Sequence, residues 1–248
     1  MAERLDVEIV SRGLATSRTR ATKIIQAGLV TVEGKVQTKP ATPVEADADI
    51  QIQEDTKWVS RAALKLLAAL EDFGINPNDR LALDIGASTG GFTQVLVEHG
   101  ASKVLAVDVG HSQMAELVAN HARVINLEKT NAKDLTPEMT NTLLGGLASI
   151  AVADVSFISV THVLPSLVAS TSADSDIILL IKPQFEVGKG RVKQGIVVSE
   201  DLREEAIAKV VDAATALGLE QKGLIDSPIV GTHGNYEYLI WFEKRKSI

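Results

Sequence analysis

The sequence predicts an α/β fold in which a mostly parallel sheet is covered by helices on both faces, preceded by a small basic α+β module. From Leu81 onward, short apolar runs alternate with helical stretches, and near-continuous apolar strands joined by crossover helices are typical of parallel sheets. Before that point, residues 1–39 carry seven basic and four acidic side chains, whereas residues 40–55 carry five acidic side chains and no basic one. This change in charge predicts a separate module followed by a linker.

Length and composition exclude several classes of protein. The 248 residues are 45% hydrophobic and 23% charged, with a net charge of −7, which is typical of a folded globular chain. The absence of cysteine excludes disulfides, thiolate metal sites and cysteine nucleophiles, and it predicts a reducing, cytoplasmic location. Charges interrupt the first fifteen residues, and apolar runs such as Ile177–Ile181 are far shorter than the roughly 18 residues of a membrane span. We therefore expect neither a signal peptide nor a membrane partner.

The N-terminal module is predicted to contain two helices followed by short strands. Three apolar residues at helical spacing and a terminating glycine predict the first helix: Leu5, Ile9, Val10 and Gly13. A second helix over 18–27 would begin after the capping residue Ser17 and end at Gly28. Glu33-Gly34 predicts a hairpin turn, and the alternation over Ile50–Ile52 predicts a further strand.

The main domain is predicted to open with a helix from the capping residue Ser60 to Phe73, ended by Gly74. Six apolar runs have the character of strands: Leu81–Ile85, Val104–Val107, Val124–Ile125, Ile150–Ala153, Ile177–Ile181 and Leu239–Phe242. Three helical stretches lie between them: Phe92–His99, Met114–Ala119 and Leu202–Leu217. Ligands of open α/β sheets bind outside the carboxyl ends of the strands, so residues that follow strands are the candidates for a functional site.

A loop of small residues follows the first predicted strand of the sheet, in Asp84-Ile-Gly-Ala-Ser-Thr-Gly-Gly-Phe92. Small residues let the backbone approach a ligand, and the next helix offers free N–H groups. The glycine spacing departs from the Gly-x-Gly-x-x-Gly fingerprint of NAD sites. Gly86–Gly90 matches the nucleophile elbow of hydrolases, with Asp154 or Asp226 and then His233 in the required order, but that elbow follows several earlier strands. A tight turn without a ligand is the remaining alternative.

S-adenosylmethionine (SAM) fits this loop better than NAD does. Asp84 stands at the end of the strand before the glycines, and Asp108 ends the next strand. An ionised carboxylate at the second position can accept hydrogen bonds from both ribose hydroxyls of a nucleoside. Asp108 alone could equally be a turn residue, but the combination predicts a SAM site.

Four charged residues stand out by their context: Lys65, Asp154, Lys182 and Glu237. Asp154 and Lys182 end apolar strands and should project into the ligand crevice. Lys65 lies in an Ala/Leu-rich helix and Glu237 opens the last strand. A solvated helix face for Lys65 and an edge-strand charge for Glu237 remain alternatives.

These motifs resemble those of the FtsJ-like RNA 2′-O-methyltransferases, and nearly the whole chain resembles the TlyA family, whose members also carry the name haemolysin A. Five strings carry the resemblance: Val59-Ser-Arg-Ala-Ala-Leu-Lys65-Leu, Asp84-Ile-Gly-Ala-Ser-Thr-Gly-Gly-Phe92, Asp154-Val-Ser-Phe-Ile-Ser159, Lys182-Pro-Gln-Phe-Glu-Val-Gly-Lys-Gly190 and Gly234-Asn-Tyr-Glu237. Residues 4–52 resemble an S4 RNA-binding domain, through Arg4-Leu-Asp6, Ser17-Arg18, Gly28-Leu-Val30 and Lys39-Pro40. Glu33-Gly34 and Ala48-Asp49 depart from the usual Asn-Gly and Gly-Asp of that domain, which weakens the turn propensity.

The resemblance implies a Rossmann-like, SAM-dependent methyltransferase domain with a mostly parallel seven-stranded sheet, whose final strand runs antiparallel. We place an S4-like domain at 1–55, a linker at 56–60 and the methyltransferase domain at 61–248. The implied catalytic tetrad assigns Lys182 as base or orienting group, Asp154 as its positioning partner, and Lys65 and Glu237 as groups that orient the substrate. The predicted cofactor-binding residues are Asp84, Gly86, Ala87, Ser88, Thr89, Gly90, Gly91, Phe92, Asp108 and Asn131.

By the same resemblance, the substrate is a cytidine 2′-hydroxyl in ribosomal RNA. Some family members modify the large subunit only and others both subunits. This chain stops soon after its last strand, without the extension of some dual-site members, so we expect large-subunit RNA. The partner is the RNA or an assembled subunit. Seven basic residues are predicted to bind RNA: Arg4, Arg18, Arg20, Lys23, Lys189, Arg191 and Lys193.

The last three of these basic residues lie in the glycine-containing loop 182–195, for which a plain solvated loop is the alternative. The five histidines are scattered, so we expect no metal site, and we expect a monomer. Two rival functions come from other classes: a membrane-active haemolysin, and a non-catalytic S4-type factor in ribosome assembly.

Overall fold

The computed structural model describes residues 2–15, 18–26, 28–52, 57–188, 190–192, 195–229, 231 and 234–245. The chain divides into two compact units, Met1–Arg61 and Ala62–Ile248. The assignment of 56–60 as a linker stays a prediction, and Ser17, the predicted helix cap, lies outside the described residues.

The first unit packs two helices against short strands. Its elements are β1 (Glu3–Arg4), α1 (Leu5–Ser11), α2 (Arg18–Gln26), β2 (Val30–Val32), β3 (Lys35–Gln37), β4 (Pro43–Val44) and β5 (Ile50–Ile52). β2 pairs antiparallel with both β3 and β5, and β1 pairs with β4. Apolar side chains from both helices and from β2 and β5 form the core, in which Leu5, Ile9 and Ile25 are fully buried.

Both predicted helices and the hairpin of this unit are present. Glu33 and Gly34 have φ angles of 50° and 72°, which a two-residue hairpin turn of the primed type requires. β1 and β4 have two residues each, too few to produce any periodicity in the sequence.

The second unit is built on a seven-stranded sheet. Its elements are α3 (Ala62–Phe73), β6 (Leu81–Ile85), α4 (Gly91–Glu98), β7 (Lys103–Val107), α5 (Glu116–Ala119), β8 (Val124–Leu127), α6 (Pro137–Leu144), β9 (Ala148–Ala153), α7 (Leu164–Ala169), β10 (Thr171–Ile181), α8 (Pro183–Glu186), α9 (Glu200–Ala216), β11 (Leu219–Asp226) and β12 (Tyr238–Lys244). The strand order is β11-β12-β10-β9-β6-β7-β8. β8, β7, β6, β9 and β10 run parallel, and β12 runs antiparallel to both of its neighbours. The predicted fold class is therefore confirmed.

Two local predictions for this unit were wrong or incomplete. Ser60 does not cap α3, because the helix begins at Ala62 and Ser60 Oγ is buried without a hydrogen-bond partner. The sequence pattern also does not predict β11, an edge strand in which most side chains are exposed or half-buried. Gly223 interrupts that strand where a Cβ atom would lie 2.6 Å from the Phe73 ring.

The register of the strands brings four chain segments to one edge of the sheet. Ile85 at the end of β6 pairs with Ala153 at the end of β9. Ile181 at the end of β10 pairs with Tyr238 at the start of the antiparallel β12. The glycine loop, Asp154, Lys182 and Glu237 therefore all adjoin the carboxyl edge of the parallel strands, where ligands of such sheets bind.

Candidate active site

Lys182 and Asp154 form an ion pair at this edge. Lys182 Nζ lies 2.5 Å from Asp154 Oδ1, at angles outside hydrogen-bonding geometry, and donates a hydrogen bond to Ser156 Oγ at 2.7 Å. Only 10% of the Lys182 side chain and 15% of the Asp154 side chain are exposed. Such burial strengthens the electrostatic contact, so the amine is held between a carboxylate and a hydroxyl.

Lys65 and Glu237 form a second buried pair. Lys65 Nζ donates to Glu237 Oε2 at 2.5 Å, with 10% and 3% of the two side chains exposed. Lys65 therefore does not lie on a solvated helix face, and Glu237 is not an exposed edge charge. A Cβ atom on Gly231 would lie 2.1 Å from Glu237 Oε1, so the chain passes directly against this carboxylate. The two pairs adjoin, because Lys182 and Glu237 flank the paired residues Ile181 and Tyr238.

The glycine loop is packed against the backbone of Asp154. Gly86 has a φ of 81°, and a Cβ atom on it would lie 2.5 Å from the Asp154 carbonyl oxygen. Gly90 has a φ of 93°, and a Cβ there would lie 3.0 Å from Val118 Cγ1. Both positions thus require glycine for conformation and for space. Gly91 begins α4, and the Phe92 side chain, only 2% exposed, belongs to the core.

Asp108 holds the glycine loop from the next strand. Its two carboxylate oxygens accept hydrogen bonds from the backbone N–H of Ser88 at 2.8 Å and of Gly110 at 2.7 Å. Each oxygen keeps a further lone pair for a ligand hydroxyl. Asn131 is exposed and follows Thr130, whose N–H donates to the Asp108 carbonyl at 3.0 Å. Ala87 and Thr89 complete the loop between these contacts.

Asp84 is a fully buried carboxyl group with one unsatisfied oxygen. Thr93 Oγ1 donates to Oδ2 at 2.6 Å, whereas Oδ1 has no partner. The pKa of Asp84 is raised to about 7, chiefly by burial and also by the nearby charges of Asp154 and Asp108, against the lowering effect of the Thr93 hydrogen bond. An orphaned carboxylate oxygen beside a loop of small residues fits a cationic ligand.

The hydrolase alternative finds no support in the described contacts. Ser88 Oγ donates to Gln113 Oε1 at 3.4 Å, and Asp154 is paired with Lys182. Asp226 is exposed at the end of β11, and His233 lies outside the described residues.

We expect Gly86→Ala to lower SAM affinity about tenfold and the free energy of unfolding by about 3 kcal/mol, because the methyl group would displace the loop from the Asp154 backbone. Gly145→Ala is the matched control: Gly145 has a φ of 85° but nothing within 4 Å of its Cβ position. The control should pay only the conformational cost of about 1 kcal/mol. Calorimetric titration and urea unfolding measure both quantities, and equal effects of the two variants would contradict the predicted contact.

The predicted RNA-binding residues of the first unit include a charge cluster around Asp6. Arg4 Nε and Arg18 Nε donate to the two carboxylate oxygens of Asp6 at 2.9 and 2.8 Å. The hydrogen bond from Arg4 and the contacts with Arg18 lower the pKa of Asp6 to about 2. Both arginines are about half exposed and line an open groove of about 690 Å³ with Thr22 and Pro40.

The remaining predicted RNA-binding residues are only partly described. The side chains of Arg20 and Lys23 and the whole of Lys189 and Lys193 lie outside the described part of the chain. Arg191 is described, and its guanidinium pairs with the Glu205 carboxylate through two contacts, of which Nη2–Oε2 is 2.7 Å. Its availability to RNA stays a prediction.

The sequence pattern did not single out three polar residues near the site, the exposed Ser156 and the buried Glu186 and Asn235. Ser156 Oγ accepts a hydrogen bond from Lys182 Nζ, and Glu186 accepts hydrogen bonds from Ser159 Oγ and Val160 N–H. Asn235 Nδ2 donates to the Gly195 carbonyl at 2.8 Å, and its Oδ1 accepts from Val197 N–H at 3.1 Å. Each stands inside one of the family strings, which was the available signal.

Two family models match the chain. The model described as FtsJ-like methyltransferase matches residues 58–244, and the model described as S4 domain matches residues 3–50. The first match covers well over half of the chain.

Full-length relatives agree with these matches. A protein of Mycobacterium tuberculosis named 16S/23S rRNA (cytidine-2′-O)-methyltransferase TlyA is 48% identical over 241 residues, covering 96% of this chain and 88% of that protein. One of Campylobacter jejuni named 23S rRNA (cytidine-2′-O)-methyltransferase TlyA is 34% identical, covering 95% and 97%. A solved structure named as a hemolysin, from Streptococcus thermophilus, is 37% identical, covers 99% of this chain and 90% of its own, and has a TM-score of 0.77.

Proposed function

This chain belongs to the FtsJ-like methyltransferase family, within its TlyA group, and from that premise we propose that it transfers a methyl group from SAM to the 2′-hydroxyl of a cytidine in ribosomal RNA. The observation that carries the proposal is the placement of two buried lysine–carboxylate pairs beside the glycine loop, at the carboxyl edge of the sheet. The lysine–carboxylate pairs that would activate the nucleophile and the glycine loop that would bind the methyl donor therefore lie side by side.

The residues of the loop fit SAM. The unsatisfied oxygen of Asp84 suits a positive charge, Gly86 lets the loop pack against the Asp154 backbone, and Asp108 offers acceptors for ribose hydroxyls. The other residues that would hold the cofactor are Ala87, Ser88, Thr89, Gly90, Gly91, Phe92 and Asn131. SAM, when bound, supplies a methyl group already activated on a sulfonium ion.

The protein must then orient the ribose hydroxyl and help to remove its proton. A 2′-hydroxyl is a very weak acid, so both alignment and a positioned base contribute to the rate. Asp154 and Ser156 fix the position of Lys182 Nζ, which orients the ribose hydroxyl and accepts its proton when the amine is neutral, not when it is the ammonium of the ion pair. The Lys65–Glu237 pair, which joins α3 to the residue before β12, orients the ribose.

The proposed substrate is large-subunit ribosomal RNA. The names of both TlyA relatives include 23S rRNA, whereas only one includes 16S rRNA. The S4 unit, with Arg4 and Arg18 on its open groove, would supply RNA affinity outside the active site. A ribosomal substrate also places the proposed site of action in the cytoplasm. In the part of the chain that the structure describes, no helix is long and apolar enough to cross a membrane.

Labelled SAM incubated with separated ribosomal subunits and with free ribosomal RNA tests the proposal. We expect 2′-O-methylcytidine in 23S rRNA, mapped by resistance of the adjoining phosphodiester to alkaline hydrolysis. Methylation of 16S rRNA alone would contradict the proposed subunit. RNA binding without methyl transfer to any of these substrates would favour an assembly factor, and dye release from lipid vesicles without methyl transfer would favour a haemolysin.

A further inference from the structure

Glu186 is a buried carboxylate that the proposed reaction does not yet use. It ends the short helix α8, four residues after Lys182, and is 4% exposed. A buried charge is costly unless it is paired and hydrogen-bonded, and a buried ion pair is weak evidence for a stabilising role. Its contacts therefore need a reason other than stability.

The contacts of Glu186 join it to the loop that carries Asp154. Glu186 Oε1 accepts a hydrogen bond from Val160 N–H at 2.8 Å, and Oε2 accepts one from Ser159 Oγ. Lys209, on α9, supplies the opposite charge: its Nζ lies 3.2 Å from Oε2 and donates to the Glu186 carbonyl at 2.8 Å. One carboxylate thus connects loop 154–160, segment 182–187 and α9.

Loop 154–160 and segment 182–187 are also joined at the ends that carry Asp154 and Lys182. Lys182 Nζ contacts Asp154 Oδ1 at 2.5 Å and Ser156 Oγ at 2.7 Å. The loop and the segment are therefore fixed at two points, at Lys182 and at Glu186. Without the second point, the loop could move relative to Lys182, and a misplacement of about 1 Å in a catalytic group costs about a hundredfold in rate.

We propose that Glu186 is a positioning residue for methyl transfer, which holds loop 154–160 against segment 182–187 so that Asp154 and Lys182 keep their spacing. The inference rests on the proposed function. It differs from a stabilising role in what it predicts: loss of Glu186 should lower the turnover of correctly folded, cofactor-loaded protein.

Glu186→Gln in the full chain tests the proposal, because glutamine keeps the volume and an acceptor for Val160 N–H but removes the charge that pairs with Lys209. We expect kcat with large-subunit RNA to fall by about 10- to 100-fold, while KM for RNA and Kd for SAM change less than twofold. Ser159→Ala, which removes only the hydroxyl donor, should give a smaller fall in kcat, and it provides a second measurement if the glutamine variant folds poorly.

Asp176→Asn is the matched structural control. Asp176 accepts hydrogen bonds from Arg80 at 2.6 Å and from Trp241 Nε1 at 2.8 Å, but it lies five residues before the end of β10. This variant should lose thermal stability without losing kcat. A comparable fall in kcat for Asp176→Asn would overturn the proposal.

A double variant separates positioning from an independent effect. If Glu186 acts through the placement of Lys182, Ser156→Ala and Glu186→Gln should lower kcat together by less than the product of their single effects. Full multiplication, or wild-type kcat in Glu186→Gln, would overturn the inference while leaving the proposed function intact. Absence of methyl transfer by the wild-type protein would overturn both.

Discussion

Replacement of Lys182 by alanine is expected to lower kcat for methyl transfer by at least about a thousandfold, the upper part of the range for loss of a positioned base, and to leave SAM binding intact. The side chain is the only group that the described contacts place between Asp154 and Ser156. The predicted cofactor residues lie instead on the loop after β6 and after the neighbouring strands. The variant should therefore bind SAM with nearly wild-type affinity.

Two comparisons make this prediction specific. Lys222→Ala is the control, because Lys222 also contacts two carboxylates, Glu220 and Glu243, each at 3.1 Å, but on the outer strands of the sheet. It should keep full activity. Lys182→Arg keeps the positive charge beside Asp154 but cannot accept a proton, so it should be nearly as inactive as the alanine variant. Near wild-type methylation by Lys182→Ala, with SAM binding and thermal stability measured in parallel, would refute the assignment of Lys182.

The ends of parallel strands explain why Asp154 and Lys182 could be singled out from the sequence. Both follow apolar runs. Because residues that follow parallel strands lie at the same edge of the sheet, their side chains are expected to lie close together once the strands are known. Lys65 and Glu237 carried no such requirement, because a helix can turn either face to the sheet and an antiparallel strand can begin at either edge. That they belong to one site was expected only through the family strings, and the structure adds that Lys65 Nζ lies 2.5 Å from Glu237 Oε2.

Glu186 shows what a local pattern cannot reveal. In the sequence it is the one acidic residue of a basic, glycine-containing loop, a pattern typical of a solvated segment. Its partners Ser159 and Lys209 lie 27 and 23 residues away along the chain. Only the packing of α9 against the loops brings these three groups together, so the burial of this carboxylate depends on tertiary structure.

Replacement of Asp84 by asparagine is expected to stabilise the SAM-free protein at pH 8 and to weaken SAM binding about a hundredfold, as expected when a charged hydrogen-bonding partner is removed. The two effects have one cause. The ionised carboxylate is unfavourable in its fully buried position with Oδ1 unsatisfied, and only a cationic ligand compensates for it. Asparagine has nearly the same shape as aspartate but carries no charge, either in the SAM-free or in the SAM-bound protein.

The sign of the pH dependence follows from the raised pKa of Asp84. The pKa of this group is about 7 in the folded protein and 3.8 in its ordinary state, so between these values the folded state holds more protons than the unfolded state. The free energy of unfolding then decreases as pH rises through this window, and the penalty is fully present above pH 7. It amounts to about 4 kcal/mol, from about 1.4 kcal/mol per pH unit. Asp84→Asn should remove this slope, and its stability should equal that of the wild type near pH 4.

Cofactor affinity should change with pH in the opposite direction. Below pH 7 the Asp84 carboxyl holds a proton that a cationic ligand must displace, so wild-type SAM affinity should fall as pH falls, and Asp84→Asn should show no such fall. Urea unfolding and calorimetric titration from pH 5 to 8 measure both effects. Asp6→Asn is the control with the opposite sign: the pKa of Asp6 is lowered to about 2, so this variant should destabilise the first unit at pH 7 and leave SAM binding unchanged. If Asp84→Asn instead destabilised the SAM-free protein at pH 8, the carboxylate would have to be satisfied without a ligand, and the assignment of its free oxygen to the cofactor would be wrong.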